Sequence, residues 1–528
     1  MKKIFLTYKP ILFSLVLTLQ LGCEDNLLEG DIDPVNNNEI LVSRLTESDL
    51  PQVAQGVYSA TVETGFSNYF WFIYGYHETM GDTFTMPWGN FGGRWVNQTS
   101  QIVLDGGELT DPTDTDTVIT NGATILPPEG GAQPGEIEIR NDRAQGDSNA
   151  TQHEWNDMYK LNGQTNLIIS SVAEIELSEV QTQAYTAWAL WWKAFAYHRI
   201  GSMYEEGLIV DSNPLEGTND NFVSQDQMIA QSNTVLGELN TLLNTVSDIE
   251  GFDALLDSFQ ITVFGNKVGH VGMLANVATL QARNLVYNTP VTSMTDTDWN
   301  NVVTWTSNGV MDNANAFGAQ SEETLINNAW LPGRVTGLWY FPSPRLIQDI
   351  NPNDERLTSY FEPDVFPNPR GRGIQYGATH LWLAGSAIAS GDPGQVTMWY
   401  AGTHEENLLL RAEAYARTAR VEEALADLDA VRTLQSSGLP ATVGTGLTAA
   451  DALEEIRKER RLALIMRGVN FYDARRYGVS NGTRNGAWVV NADGAVVYRN
   501  STITYGYLDY WPVPVNETDF NEAPGAQN

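Results

Sequence analysis

Between Gly65 and Trp95 the chain reads GFSNYFWFIYGYHETMGDTFTMPWGNFGGRW, and here its residue types come closest to a recognition chemistry. Pro87, Gly89, Gly92 and Gly93 interrupt Met86 to Trp95, so this part reads as a loop on which Trp88, Phe91 and Trp95 cannot all be core by periodicity. Asp82, Asn90 and Arg94 lie among them. A flat ring stacks on the apolar C–H face of a pyranose, while the sugar hydroxyls lose water on binding and need amide or carboxylate partners in its place. Asp82, Trp88, Asn90 and Trp95 are therefore candidates for a sugar-binding platform. Loop aromatics that plug the edge of a core would give the same pattern, and both readings stay open.

Chemistry of other kinds is poorly represented. The six histidines, His77, His153, His198, His270, His380 and His404, are scattered, with no HExxH pair, no paired-cysteine zinc spacing, no G-x-S-x-G and no phosphate loop. Each reads as a surface or satisfied core histidine. Asp111, Asp114 and Asp116 lack the glycine and distal glutamate of an EF-hand loop and read as a solvated acidic turn. Carboxylates are too abundant for a glycosidase pair to be picked out, since separation in space identifies such a pair. The expectation is a protein that is not an enzyme, with no cofactor and no metal.

The elements that would position the loop are helical. Leu50 to Tyr58 predicts a helix, Tyr69 to Tyr76 a buried strand or helix, and Gln101 to Ala150 a long loop or a pair of short hairpins. Helices follow from Trp155 to Val172 and from Glu179 to Met203, with two more at Gln225–Val246 and Val268–Tyr287. Lys193-Ala-Phe-Ala-Tyr197-His-Arg199 and Arg411-Ala-Glu-Ala-Tyr415-Ala-Arg417 share one pattern. Around the second copy, Ala412, Tyr415, Ala424, Leu428 and Val431 fall at tetratricopeptide offsets, so Thr403 to Gln435 predicts a helix hairpin. In Asp451 to Gly478, Leu453, Ile456, Arg460 and Leu464 share one helical stripe. A guanidinium on that stripe points inward and needs an acceptor, for which Asp473, past the Gly468 break, is the first candidate. Gly486 to Tyr510 alternates as a hairpin around Asp493-Gly494.

Composition and the N-terminus bound the class. Sixty-five acidic against thirty basic residues give a net charge of −35, which repels nucleic acid and anionic lipid. Fifteen Trp, 21 Tyr and 18 Phe require a core or a recognition surface to account for them. Lys2 and Lys3 precede the apolar run Ile11–Leu21, which falls short of the ~17 residues of a membrane span and reads as a signal-peptide core. The run ends in Leu19-Gln20-Leu21-Gly22-Cys23, a lipobox, and Cys23 is the only cysteine. Acylation at Cys23 is the expectation. That divides the chain into a signal peptide (1–22), a lipidated tether (23–45) and a single domain (46–528).

A family resemblance enters at the C-terminal stretch. Ile456, Glu459-Arg460-Arg461, Leu462, Gly468, Phe471, Asp473, Arg476 and Gly478, in that order, resemble the signature of the SusD/RagB family, with Ala463, Arg467 and Asn470 standing where that family usually has Glu, Glu and Arg. Tyr510-Trp511-Pro512-Val513-Pro514 and the closing Gln527-Asn528 are similar to its tail. The resemblance implies a lipoprotein of the outer membrane, facing the cell exterior and held there by its lipid alone. Such proteins hold oligosaccharide, polysaccharide or peptide for a SusC-like TonB-dependent transporter.

The implied fold is mainly α: a tetratricopeptide-like helix-hairpin scaffold, about 150–290 and 403–480, with a few short strands and long irregular insertions at about 65–150 and 288–402. In the family the ligand site is built from the early aromatic segment and the second insertion, which adds Trp330 and Trp339 to the candidates. Within that insertion Asp349, Asp354-Glu355-Arg356, Arg370 and Arg372 read as turn and surface charges. The leading expectation is non-catalytic glycan capture. The alternatives are a RagB-like peptide binder and, further off, a glycan hydrolase.

Overall fold

The computed structural model describes residues 45–61, 72–86, 90–104, 109–110, 124–126, 131–212, 219, 221–260, 266–320, 340–366, 377–383, 397–490, 497–519 and 521. The chain is mainly helical, as expected. Among the described residues its helices are α1 (Leu50–Thr61), α2 (Tyr74–Met80), α3 (Gly93–Val96), α4 (Gln133–Arg140), α5 (Thr151–Glu174), α6 (Glu179–Met203), α7 (Gln225–Leu243), α8 (Ile249–Phe259), α9 (His270–Tyr287), α10 (Asp296–Ser307), α11 (Pro344–Asp349), α12 (Arg356–Ser359), α13 (His404–Arg417), α14 (Val421–Leu434), α15 (Ala449–Ala463), α16 (Asn470–Arg476) and α17 (Val515–Thr518).

The helix α6 is the axis of the fold. Ser178 and Gln181 close a capping box at its start, the Ser178 N–H donating to Gln181 Oε1 at 2.9 Å. From Ala187 to Met203 every residue is buried, so no solvent face survives there. A helix apolar on all sides belongs inside, and α5, α7, α8 and α9 pack around this one. Trp188, Trp191 and Trp192 interlock with Phe195, Phe259 and Phe317. With Trp155, Trp299 and Trp511 also buried, much of the unusual tryptophan content belongs to this core. The predicted hairpin is present as α13 and α14, with Ala412, Ala424, Leu428 and Val431 buried between helices.

Three helices depart from expectation. Pro134 falls in the first turn of α4, where its missing N–H costs nothing, so the proline that suggested a loop starts a helix instead. Helix α8 fills the gap between two predicted helices. Helix α10 runs twelve residues into the stretch read as irregular, capped by Thr295 and Asp298. The segment Tyr69–Tyr76, left open between strand and helix, is helical from Tyr74.

Strands β1 to β13 are Phe84–Thr85, Gln101–Leu104, Leu109–Thr110, Thr124–Leu126, Glu206–Leu208, Phe222–Ser224, Gly318–Gln320, Phe341–Pro342, Phe361–Phe366, Ala378–Trp382, Thr397–Trp399, Thr483–Val490 and Val497–Thr504. The hairpin expected near the C-terminus is β12–β13, and it is one edge of a five-stranded sheet in the order β12-β13-β2-β4, with β3 also on β13. Ser501 pairs with Leu104 and Thr504 with Gln101, so one sheet joins both ends of the described domain. The remaining strands form two-stranded ladders: β1-β8, β10-β9, β11-β7 and β5-β6.

The charges read as surface turns in the second insertion are corrected in part. Arg356 is fully buried and grips Asp354 at 2.7 Å and Glu459 at 2.5 Å, while Asp349 takes Arg484 at 2.9 Å. Burying a guanidinium alone is costly, and these carboxylates are what allow it. Glu355 is exposed, as expected, and Arg370 and Arg372 lie outside the described residues.

Candidate ligand-binding site

One antiparallel ladder and one ring contact bring the early aromatic segment to the second insertion. Phe84 faces Pro342 and Thr85 faces Phe341, and the Ser343 N–H extends the ladder to Thr83 O at 2.8 Å. Both strands are only two residues long, so side chains must hold them. Phe84 meets Trp382 of β10 edge to face, with ring centroids 5.5 Å apart. The phenol end of Tyr340 presses on Gly75, where a Cβ would stand 2.1 Å from its Cζ. That approach is possible only because position 75 carries no side chain. Met86 and Tyr340 flank this ladder, and Trp88, Trp330 and Trp339 lie outside the described residues.

Asp82 stands at the root of this arrangement and is buried. Arg345 clamps it, Nη2 donating to Oδ1 at 2.6 Å and Nε at 3.1 Å, Ser343 adds a bond at 2.9 Å, and the Tyr505 hydroxyl donates to Oδ2. Burial pushes the carboxyl up, but Arg345, helped by Arg461 and Arg484, more than offsets it and holds the group at about 2. Both oxygens are spent inside the protein. The structure places this candidate as the tie between α2, α11 and the C-terminal sheet, and leaves it no free lone pair toward solvent.

Trp95 is half-buried on α3, with the Arg94 guanidinium 4.3 Å from one ring centroid and Arg140 of α4 at 3.8 Å. Arg140 is steadied by Glu136 at 3.1 Å. Asn90 opens a 3-10 turn, Asn90–Gly92, rather than an open loop. Phe91 there has a φ of 56° and packs on Phe72 at 3.9 Å, and the Tyr76 hydroxyl donates to its carbonyl. Thus Phe91 belongs to a core edge, one of the two readings that the sequence left open.

A residue that the sequence argument passed over stands nearby. The ladder β7-β11 pairs Gln320 with Thr397, and Trp399 at its end is only partly buried. The Tyr74 hydroxyl donates to Trp399 O at 2.7 Å and to Tyr400 O at 3.0 Å, fixing this backbone to α2. The Arg467 guanidinium stands 5.4 Å from the Trp399 ring centroid. Burial lowers Arg467, and Glu405 opposes that shift. Trp399 appeared in sequence as one of many aromatics in the insertion, with no spacing to set it apart.

Behind this surface the stretch Asp451–Gly478, the keystone of the scaffold, is tied together by buried ion pairs. Arg460 reaches Asp473 as expected, and Arg476 bridges Asp473 at 2.7 Å and Glu413 at 2.5 Å. The break at Gly468 has a φ of +65° with the Tyr74 ring against it, and its carbonyl accepts from Arg199 Nη1 at 2.9 Å. His77, buried between Glu154 at 3.2 Å and Arg199 at 3.0 Å, is held at about 4 by burial, with Arg199 adding to the shift. It is a core histidine whose Nε2 makes both contacts, while its Nδ1 has no hydrogen-bond partner among the described residues.

Residues 405–526 match the model of the SusD family. No curated protein matches the chain. Solved structures similar in fold include a SusD-like carbohydrate binding protein from Bacteroides fragilis NCTC 9343, at TM-score 0.59 and 14% identity, covering 90% of this chain and 98% of that one. A SusD superfamily protein from Parabacteroides distasonis ATCC 8503 aligns at TM-score 0.57 and 12% identity over 90% and 98% of the two chains. A SusD superfamily protein from Bacteroides thetaiotaomicron VPI-5482 aligns at TM-score 0.55 and 14% identity over the same shares, 90% and 98%. The C-terminal part of the chain is thus similar to the SusD family, and the helical scaffold shares the fold of these structures.

Proposed function

We propose that this protein captures oligosaccharide or polysaccharide without turning it over, and delivers it to a SusC-like TonB-dependent transporter. The observation that carries the reading is the junction of β1 with β8, reinforced by Phe84 against Trp382. It joins the strand that precedes Trp88 in sequence to the strand that follows Trp330 and Trp339. Loops carried by a rigid scaffold are where binding residues concentrate. Trp399 joins the proposed set, while Asp82 and Trp95 support the junction from inside and beside it. The SusD-like neighbour named for carbohydrate binding supports the ligand class.

Attachment is proposed to run through an acylated Cys23, which would leave the domain on the outer membrane with its face toward the exterior. No helix among the described residues is long and apolar enough to cross a membrane. Single-site capture by stacking and hydroxyl bonding is modest in strength, and repeated engagement along one polymer raises it through effective concentration.

The test is native mass spectrometry of the protein purified from its producing cells, followed by titration with the mass found. A co-purified sugar that rebinds and quenches tryptophan fluorescence supports the proposal. A co-purified peptide that rebinds instead moves the assignment to a RagB-like peptide carrier. Release of reducing sugar from a bound glycan would make the protein a hydrolase and refute capture without turnover.

A further inference from the structure

On a chain carrying −35, a crevice of about 260 Å³ between α15, α16 and the start of β12 is lined by four guanidiniums, those of Arg457, Arg460, Arg461 and Arg484, and one carboxylate, Asp473. Glu454 takes Arg457 at 2.8 Å, and the acids that remain do not balance the other three. Arg461 and Arg484 share the single Asp349, at 3.1 and 2.9 Å, and Asp473 is shared by Arg460 and Arg476. Arg461 makes its hydrogen bonds to backbone carbonyls alone, Gly81 O and Asp82 O, both at 2.8 Å.

Three lining side chains, each more than nine-tenths buried, also hold a polar atom with no hydrogen-bond partner among the described residues: Arg460 Nη1, Asn470 Oδ1, and Arg461 Nε, which has only the ion-pair contact with Asp349 Oδ2 at 3.1 Å. Buried donors and acceptors left unpaired are costly, and native interiors rarely keep them so. Two of these atoms donate and are cationic, and the third accepts. Burial lowers Arg461, and the neighbouring Arg484 adds to the shift while Asp349 opposes it.

We propose that this crevice is a second ligand site that takes a hydroxy-carboxylate of monosaccharide size. The carboxylate would meet the guanidinium donors of Arg460 and Arg461, and a hydroxyl would donate to Asn470 Oδ1. A planar carboxylate suits the guanidinium fork, and a charge-assisted bond of this kind is stronger than a neutral one. A simple halide offers no proton to Asn470, and a neutral sugar offers no charge to the arginines. The site is built from the keystone helices and does not depend on the aromatic segments.

Thermal unfolding of the purified full chain tests it, with sodium glucuronate, glucose, sodium acetate and sodium chloride compared at pH 7 and equal ionic strength. Glucuronate should raise Tm along a saturating curve, with acetate weaker and glucose and chloride flat. Arg484→Gln removes one rim cation and Thr483→Trp obstructs the exposed mouth. Each should raise the apparent Kd at least tenfold, whereas the Trp88→Ala, Trp339→Ala double variant should keep the wild-type response. Equal shifts from acetate and glucuronate, a shift with glucose, or an unchanged response in both crevice variants would overturn the proposal.

Discussion

Arg460 and Asp473, thirteen residues apart in sequence, face each other across the Gly468 break in a two-pronged ion pair, with Nε to Oδ2 at 2.7 Å and Nη2 to Oδ1 at 3.1 Å. The pair is buried, and Asp473 Oδ1 also accepts from Arg476 Nε, while Arg476 in turn holds Glu413 of α13. Three helices are locked by one charge chain. Such a chain is a poor source of net stability but a severe loss when broken, because the survivor is a bare charge in a low dielectric.

Asp473→Ala should therefore cost about 3–5 kcal/mol. Urea denaturation followed by circular dichroism measures it. Arg460→Lys should recover little of the loss in the reciprocal series, since a point charge cannot replace a fork. Full stability in Asp473→Ala would show that the network is ornamental.

Asp82→Asn separates structure from ligand contact. With Arg345, Ser343 and Tyr505 all directed at its carboxylate, the substitution should lower stability by about 2–4 kcal/mol, as for one partner removed from a buried charge pair. At temperatures where the variant remains folded, glycan affinity should fall less than threefold. A Tm equal to wild type with binding abolished would return Asp82 to the ligand.

Acid should unfold the protein in two stages. His77 and His380 are each held at about 4, by burial in both cases, and burial also lowers His153, His198 and His404. A histidine whose folded value lies below ~6.5 takes its proton first in the unfolded chain, so its contribution is complete above that pH and lost as pH falls toward 4. Glu78, raised to about 7 by burial, works the other way between its usual value and 7, as does the half-buried Glu205. The histidines outnumber them, so Tm should decline from pH 6.5 to 4.5. Below pH 4 the loss steepens, because Asp82 and Glu413, both held at about 2 by arginines that outweigh their burial, contribute only while ionised. Scanning calorimetry from pH 3 to 8 reads both stages, and a Tm that rises on acidification from 6.5 to 4.5 would contradict the assignment.

Gly75→Ala should loosen the junction rather than the scaffold. The new methyl meets the buried Tyr340 ring, which has no room to withdraw, and overpacking of this kind costs about 1–3 kcal/mol. Because Tyr340 is where the chain returns from the segment holding Trp339, glycan affinity should drop at least tenfold in a protein whose helical circular dichroism is unchanged. Wild-type affinity would show that the junction does not position the site.

The scaffold was legible because helices announce themselves locally. The boundaries of α6 follow from Ser178 and from an apolar run ending at Met203, and Arg460 betrayed its partner by sitting on an aliphatic stripe. What the sequence hid was pairing at a distance. Nothing in Gln101–Leu104 says that it will lie against Ser501–Thr504, and nothing near Asp82 says that Arg345 will claim both its oxygens. Asp82 looked like a ligand residue because a carboxylate among loop aromatics is chemically apt for a hydroxyl, and the same carboxylate is as apt for a buried guanidinium. Arg356 misled for the mirror reason, since a charge beside prolines and turns says nothing of the Glu459 that comes to meet it.

The central claim, that aromatic rings on the two joined segments hold a glycan without cleaving it, is tested most directly by affinity electrophoresis of wild type, Trp88→Ala and Trp339→Ala through gels containing a panel of plant, algal and storage glycans. At least one glycan should retard the wild-type protein and release both variants, with no shortening of the polymer in the gel. Retardation that is unchanged in both variants would contradict the account.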